Sequence, residues 1–323
     1  MRVLIVKLSS LGDVVHTMPA VQDIRARVPQ VRVDWVVEKA FAPLVARCEG
    51  VGEIIPCELR RWSRAPLSHE TRSDWRTFRK QLRSVPYDAI VDLQGLTKSA
   101  LIARAARTSD TGRRYAMANR TDGAGYEAPT RWVADVAIPL EPHVHAVQRA
   151  REICARAFDY EIPSQLQFGL HAKTASGVDR NAICFVHGTS REDKCWPQMN
   201  WVLLGRRLIA QGHTIALPHG SEEERARSEW IAQEIGPGAH VWPRLDLGAL
   251  TDRIGACQGV IGVDSGLSHI AVALDLPHVQ IYNFETAWRT GPVDAAKQCS
   301  IFAQPSPTVQ AVWDAWQAVR SCA

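Results

Sequence analysis

Short apolar runs of strand length alternate along this chain with amphipathic stretches of helix length, and the alternation begins afresh in the second half. That rhythm dictates βα units, because a strand buried on both faces reads as a continuous apolar run and the helix after it covers one face of the sheet. Residues 2–8 read as the first strand and 14–27 as its helix. Strands over 31–37 and 88–92 follow, with helices over 40–48 and 98–107. Beyond a polar, glycine-containing passage at 172–180, preceded by Pro163, strands over 182–187, 214–218, 259–264 and 279–282 alternate with helices over 201–211, 222–235 and 267–274. The expectation is two successive α/β domains with parallel sheets, residues 1–170 and 171–323. The closing stretch is helical in its later part, and Trp313 and Trp316 need a surface there; packing back onto the first domain is one way to supply it.

With 46% hydrophobic and 22% charged residues over 323 positions, the chain has the make-up of a folded globular protein. No apolar run approaches the roughly 18–20 residues of a membrane-spanning helix. The start does not read as a secretory signal either, since Lys7 interrupts the apolar run Val3-Leu4-Ile5-Val6, so a cytosolic location is expected. Eight cysteines stand singly, without metal-ligand spacing, and read as reduced thiols. Neither the dinucleotide fingerprint G-x-G-x-x-G after the first strand nor the phosphate loop G-x-x-x-x-G-K-[ST] is present, which lowers the standing of dehydrogenases and P-loop kinases.

The net charge of +4 is unevenly spread. Between Arg60 and Arg120 fourteen basic residues face five acidic ones, so this stretch meets something anionic. Within 73–84, Trp75, Phe78 and Leu82 fall at helical spacing with Arg76, Arg79, Lys80 and Arg83 between them. Such an element either rests on anionic lipid or packs on its own domain.

Ligands in parallel α/β sheets lie at the carboxyl ends of strands, and four such ends carry chemistry. Lys7-Leu8-Ser9-Ser10-Leu11-Gly12-Asp13 follows the first strand; Asp13 is either half of a capping box with Ser10 or a proton acceptor. Thr189, Ser190 and Lys194 place two hydroxyls and an ammonium within six residues, suited to a diphosphate or to a solvated loop. Asp264-Ser265-Gly266-Leu267-Ser268-His269 opens a helix whose free amides favour an anion. His269 alone reads as a core histidine. Glu222, after Leu217-Pro218-His219-Gly220, can accept from ribose hydroxyls, although acids at a helix start are also structural.

In combination these stretches resemble the lipopolysaccharide heptosyltransferases of glycosyltransferase family 9. The opening Met1–Lys7 run with Ser9-Ser10-x-Gly12-Asp13, the Arg60-Arg61-Trp62 triplet, Asp92-x-Gln94-Gly95-Leu96-x-Lys98-Ser99-Ala100, the Thr189–Pro197 stretch and the Asp264–His269 stretch carry the resemblance in order. It implies a GT-B fold, two Rossmann-like parallel-sheet domains facing across a cleft, with the acceptor on the first and the nucleotide sugar on the second. It also implies transfer of L-glycero-D-manno-heptose from ADP-heptose to the inner Kdo of Kdo2-lipid A. Donor contacts carry over to Thr189, Ser190, Lys194, Glu222, Leu245, Asp264, Ser265, Gly266 and His269, and the general base to Asp13. Arg60, Arg61, Lys98 and Arg120 are aimed at the acceptor's anionic groups.

Ser190 and Ser265 stand where that family often has threonine, and Leu245 where a methionine covers the adenine. Tyr282-Asn283-Phe284-Glu285-Thr286 replaces a frequent Gly-Pro-Thr, so no role is drawn for it. Inverting transfer then needs a base on one side of the sugar and cationic and backbone donors for the departing ADP on the other, with no metal and no cofactor. Closure of the two domains is expected to exclude water. The enzyme would sit on the cytoplasmic face of the inner membrane, in peripheral contact with anionic lipid. The second heptosyltransferase of the pathway, or another ADP-sugar transferase, shares the donor motifs and differs at the acceptor side. A two-domain sugar-binding protein without catalysis shares the architecture but calls for a signal sequence. No nucleic-acid recognition module is visible.

Overall fold

The computed structural model describes all residues except Ala175, Ser176, Val178, Asp294, Ala295 and Ala323. The chain divides into two compact units, Met1–Gly169 and Leu170–Ala323. Three residues of the polar passage at 172–180 thus lie outside the described residues.

In the first unit β1 (Arg2–Val6), α1 (Leu11–Arg27), β2 (Arg32–Glu38), α2 (Ala42–Val45), β3 (Val51–Cys57), α3 (Leu59–Trp62), α4 (His69–Leu82), β4 (Tyr87–Asp92), α5 (Thr97–Ala105), β5 (Thr108–Met117), α6 (Pro129–Val133), β6 (Val136–Ile138) and α7 (Ala146–Phe158) follow in order. The six strands are parallel, in the order β3-β2-β1-β4-β5-β6. The first strand is central and has no solvent-facing side: Val3, Leu4, Ile5 and Val6 are fully buried, which is why it reads as an unbroken apolar run. Helix α7 packs on α1, and Arg151 clamps Asp23 with two buried bonds of 2.6 and 3.0 Å across that contact.

The second unit runs β7 (Ala182–Val186), α8 (Gln198–Ile209), β8 (Thr214–Leu217), α9 (Glu222–Ile235), β9 (Ala239–Val241), α10 (Leu247–Gly255), β10 (Gly259–Val263), α11 (Gly266–Ala273), β11 (His278–Tyr282), α12 (Ala287–Thr290), β12 (Gln298–Phe302) and α13 (Val309–Ser321). Its sheet is again six-stranded and parallel, ordered β12-β11-β10-β7-β8-β9. Three of its helix starts carry side-chain caps: Ser221 accepts from Glu224 N, Asp246 from Gly248 N and Ala249 N, and Thr308 from Ala311 N. Val312, Trp313, Trp316 and Val319 join the core of the second sheet, a surface for the two tryptophans within their own unit.

In both sheets the sequence reading finds the inner strands, β5 excepted, and passes over the edges, β3 and β6 in one, β9 and β12 in the other. Edge strands lack the continuous apolar run: β3 carries Gly52, Glu53 and Pro56, and β9 has three residues, none fully buried. Strand β5 escapes for a related cause, being polar and glycine-containing over Thr108–Arg114.

Candidate functional site

Asp13 sits in the first turn of α1, directly after the central strand. Its Oδ2 accepts from the backbone N (3.2 Å) and the hydroxyl (2.9 Å) of Ser10, so it ties down the helix start. The other oxygen, Oδ1, lies 3.7 Å from Lys7 Nζ and 3.5 Å from an Arg149 guanidinium nitrogen. Capping and charge chemistry, alternatives in the sequence, are divided between the two oxygens of one carboxylate. A third of the side chain remains exposed.

Both cations are themselves held. Lys7 is 4% exposed and donates to Leu93 O at 2.9 Å, while Arg149, from α7, reaches Thr121 Oγ1 at 3.4 Å. The segment after β4 completes the support. Gln94 Oε1 accepts from the backbone of both Leu8 and Ser9 at 3.0 Å, and buried Asp92 accepts from Gln94 N, Gly95 N and the Ser99 hydroxyl. Gly95 adopts φ +77°, a conformation that strains any residue with a side chain, so the turn favours glycine. Thus the Asp92-x-Gln94-Gly95 motif holds the Asp13 turn in place. Arg149 and Thr121 escaped the sequence reading, because 136 and 108 residues separate them from Asp13 and neither lies in a motif.

Burial alone would raise the Asp13 pKa. The charges of Lys7 and Arg149, with the Ser10 bonds, outweigh it and hold the carboxyl below its ordinary value. Burial also lowers the Lys7 pKa, against the pull of Asp13. For Asp92 burial prevails over three hydrogen bonds, and its carboxyl is pushed up to about 6.

In the second unit the hub is Asp264, between β10 and α11. Lys194 Nζ donates to its Oδ2 at 2.6 Å, His269 Nε2 lies 3.6 Å from Oδ1, and Thr290 Oγ1 donates to Oδ1 at 3.4 Å. Thr189 Oγ1 donates to the Asp264 carbonyl at 3.1 Å. Burial would raise the Asp264 pKa, but His269 and Lys194 overcome it and hold the carboxyl far below the usual range. Ser265 stands at the N-cap position of α11 but makes no capping bond there, and among the described residues its buried Oγ has no hydrogen-bond partner. Thr189, Lys194, Asp264, Ser265, Gly266 and His269, taken from two sequence stretches, thereby meet at the carboxyl ends of β7 and β10.

Among the described residues no hydrogen bond or ion pair joins the remaining donor-side candidates to that hub. Ser190 is exposed, and Leu245 is half-buried just before α10. Glu222 is exposed and paired with Arg225 at 2.9 Å. Two residues on, Glu224 Oε2 accepts from Gly220 N at 2.6 Å, and its other oxygen occupies the space over Gly188, where a Cβ would stand 2.6 Å away. The carboxylate facing the strand ends is therefore that of Glu224.

The basic stretch separates into two kinds of arginine. Arg61 is bonded to Glu58 (3.0 Å), Glu70 (3.0 Å) and Asp74, so its charge is neutralised inside its own unit. Arg60, Lys98 and Arg120 are exposed. Arg60 and Lys98, with Arg72, border a cavity of about 440 Å³ whose walls include Leu59, Trp62, Pro66 and Trp75. Phe78 and Leu82 of α4 are buried in the first unit's core, and Trp75 packs on Trp62 with ring centroids 5.6 Å apart. The apolar stripe at 73–84 therefore packs on its own unit. Among the described residues no helix is long and apolar enough to cross a membrane, and no group of three or more His, Cys, Asp or Glu is placed to hold a metal.

This geometry has close counterparts. Residues 75–313 match the model of glycosyltransferase family 9 (heptosyltransferase). The chain is 36% identical over 285 residues to lipopolysaccharide heptosyltransferase 1 of Pseudomonas aeruginosa, covering 87% of this chain and 78% of that protein. Against the Escherichia coli protein of the same name it is 34% identical over 287 residues, 87% of this chain and 88% of the other. The structure of E. coli heptosyltransferase WaaC with ADP superposes with a TM-score of 0.87 at 32% identity, over 97% of this chain and 98% of that one. The same enzyme with ADP-2-deoxy-2-fluoro heptose gives 0.83 over the whole of both chains. Two parallel six-stranded sheets with their helices make this an α/β protein of the GT-B type. On the matched family model and on identities above 30% across most of its length, the chain belongs to glycosyltransferase family 9, the heptosyltransferases.

Proposed function

We propose that this chain is the inverting transferase that moves L-glycero-D-manno-heptose from ADP-heptose to the inner Kdo of Kdo2-lipid A. The observation that carries the reading is a relative of 32% identity, solved with an ADP-heptose analogue, that covers the whole chain. Relatives named heptosyltransferase 1 in P. aeruginosa and E. coli are 34–36% identical, those named heptosyltransferase 2 in Salmonella typhimurium and E. coli 27–28%, which favours the first acceptor over the second.

In this scheme Asp13 Oδ1 takes the proton of the acceptor hydroxyl as its oxygen attacks the anomeric carbon, and the bond from that carbon to the diphosphate breaks on the opposite face. Lys194 shares its ammonium between Asp264 and the departing diphosphate. The hydroxyls of Ser190 and Ser265 and the free amides at Ser265 and Gly266 add hydrogen bonds, and Thr189 joins them by turning its hydroxyl from the Asp264 carbonyl to the diphosphate. Asp264 orients heptose hydroxyls and His269 stands near the phosphates. Leu245 covers the adenine, and a carboxylate of α9, Glu222 or the inward Glu224, takes the ribose. Charge stabilisation then comes from side chains and backbone, and the scheme calls for no metal or cofactor.

Arg60, Lys98 and Arg120 pair with the acceptor's carboxylates and phosphates. Arg61, held by three carboxylates, shapes the segment that presents Arg60. The exposed arginines of α4 favour peripheral contact with anionic lipid on the cytoplasmic face of the inner membrane. ADP release from ADP-heptose that requires Kdo2-lipid A is the expected result. Release at the same rate without acceptor, or none with it, refutes the reading. Sedimentation with anionic vesicles at low salt, lost at high salt, supports the membrane contact, and absence of binding at both refutes it.

A further inference from the structure

Lys194 lies on a short turn, Glu192–Lys194, preceded by exposed residues, yet its ammonium is fixed to 2.6 Å from Asp264. Local bonds from Lys194 N to Arg191 O (3.1 Å) and from Cys195 N to Glu192 O (2.9 Å) close the turn on itself without attaching it to the sheet. Thr189 Oγ1 ties the start of the loop to Asp264 O at 3.1 Å and buried Trp196 anchors its end, while the turn between them is held by Asn283. Standing one residue beyond β11, it donates both amide hydrogens, to Asp193 O and to Cys195 O, each at 3.0 Å. The two accepting carbonyls bracket Lys194. Strand β11 lies beside β10, and Asp264 N donates to Ile281 O at 3.2 Å, so the Asn283 clamp and the carboxylate that receives Lys194 hang from adjacent strand ends.

From this geometry we infer that Asn283 is a positioning residue of the donor site, holding the 189–195 loop so that Lys194 is set for a nucleoside diphosphate. The inference rests on the reading of Lys194 as a diphosphate contact. It gives a role to the segment that departs from the Gly-Pro-Thr of the resembling family. A side-chain amide with two donors on one nitrogen can bridge two carbonyls, which glycine, proline or threonine cannot do. Thr290, seven residues further on in α12, bonds to Asp264 as well.

The test is a double-mutant cycle on ADP binding by calorimetry, with Lys194→Met, Asn283→Ala and both together, alongside thermal melts. Asn283→Ala is expected to weaken ADP about tenfold, the loss of two modest hydrogen bonds. It raises KM for ADP-heptose while KM for the acceptor stays in place. In the Lys194→Met background the same change costs less than about twofold, because the group being positioned is gone. Asn283→Asp, which sets a carboxylate against two carbonyls, binds ADP more weakly than Asn283→Ala. An equal loss in both backgrounds, or ADP affinity unchanged in Asn283→Ala, overturns the inference. If Lys194→Met itself binds ADP like the parent, the underlying site reading fails instead, so the two failures are told apart.

Discussion

The ammonium of Lys7 lies 3.7 Å from Oδ1 of Asp13, on the oxygen that the Ser10 cap leaves untouched. Lys7 precedes the helix and is nearly fully buried, so its charge is a fixed part of the environment in which Asp13 works. Two cations at that oxygen keep the carboxylate ionised to lower pH than usual, at the expense of basicity.

Replacing Lys7 by Met removes one of those cations. Asp13 must be ionised to accept a proton, so the acid limb of kcat/KM against pH moves to higher pH in the variant. The stability consequence has the same origin. A carboxyl whose folded-state pKa is depressed contributes stability above its unfolded value, and this is lost as pH falls through the folded value. Lys7→Met therefore loses part of that contribution at neutral pH. A pH–rate profile with an unmoved acid limb contradicts the assignment of Lys7 as the group that tunes Asp13.

Lys194 and Asp264 form a pair that is 18% and 7% exposed. Lys194→Met leaves the carboxylate with His269 and Thr290, so the expected loss of stability is modest, roughly 1–3 kcal/mol, as for a charged hydrogen bond. The functional loss is larger in kind: ADP affinity falls and kcat falls with it, because the ammonium acts on charge that grows as the diphosphate leaves. Urea unfolding with ADP calorimetry separates the two effects. A variant destabilised but unchanged in ADP affinity excludes Lys194 from the donor site.

The two neighbouring arginines should respond differently. Arg61→Ala frees Glu58, Glu70 and Asp74 from their shared partner, and its main effect is a lower melting temperature. Arg60→Ala and Lys98→Ala leave the melt unchanged and raise KM for the acceptor, more at low salt than at high salt, as expected for exposed charges meeting an anion. Equal acceptor KM changes at Arg60 and Arg61 would show that the carboxylate triad does not withhold Arg61.

Much of this arrangement is legible in the residues, and the limits have physical causes. Strand–turn–helix junctions at Asp13, Thr189 and Asp264 are local, and local pattern suffices to place them at sheet ends. What pattern cannot supply is pairing across the chain. Arg149 reaches Asp13 from 136 residues away, and Asn283 reaches Asp193 from 90. The helix at 73–84 shows the opposite limit. Its apolar spacing is the same whether Phe78 and Leu82 meet lipid or Trp62, and only packing distinguishes them. Likewise a row of three glutamates does not reveal which one turns inward; the 2.6 Å bond from Gly220 to Glu224 does.

The most direct measurement is acceptor-dependent ADP release by Asp13→Asn, taken together with its ADP affinity and its melting temperature. The amide keeps the shape of the side chain and an oxygen for the helix cap but cannot take a proton. The account predicts turnover reduced by roughly 10²–10⁴-fold with ADP binding intact and the fold retained. Turnover within a few-fold of the parent would show that Asp13 caps its helix and does not perform the chemistry.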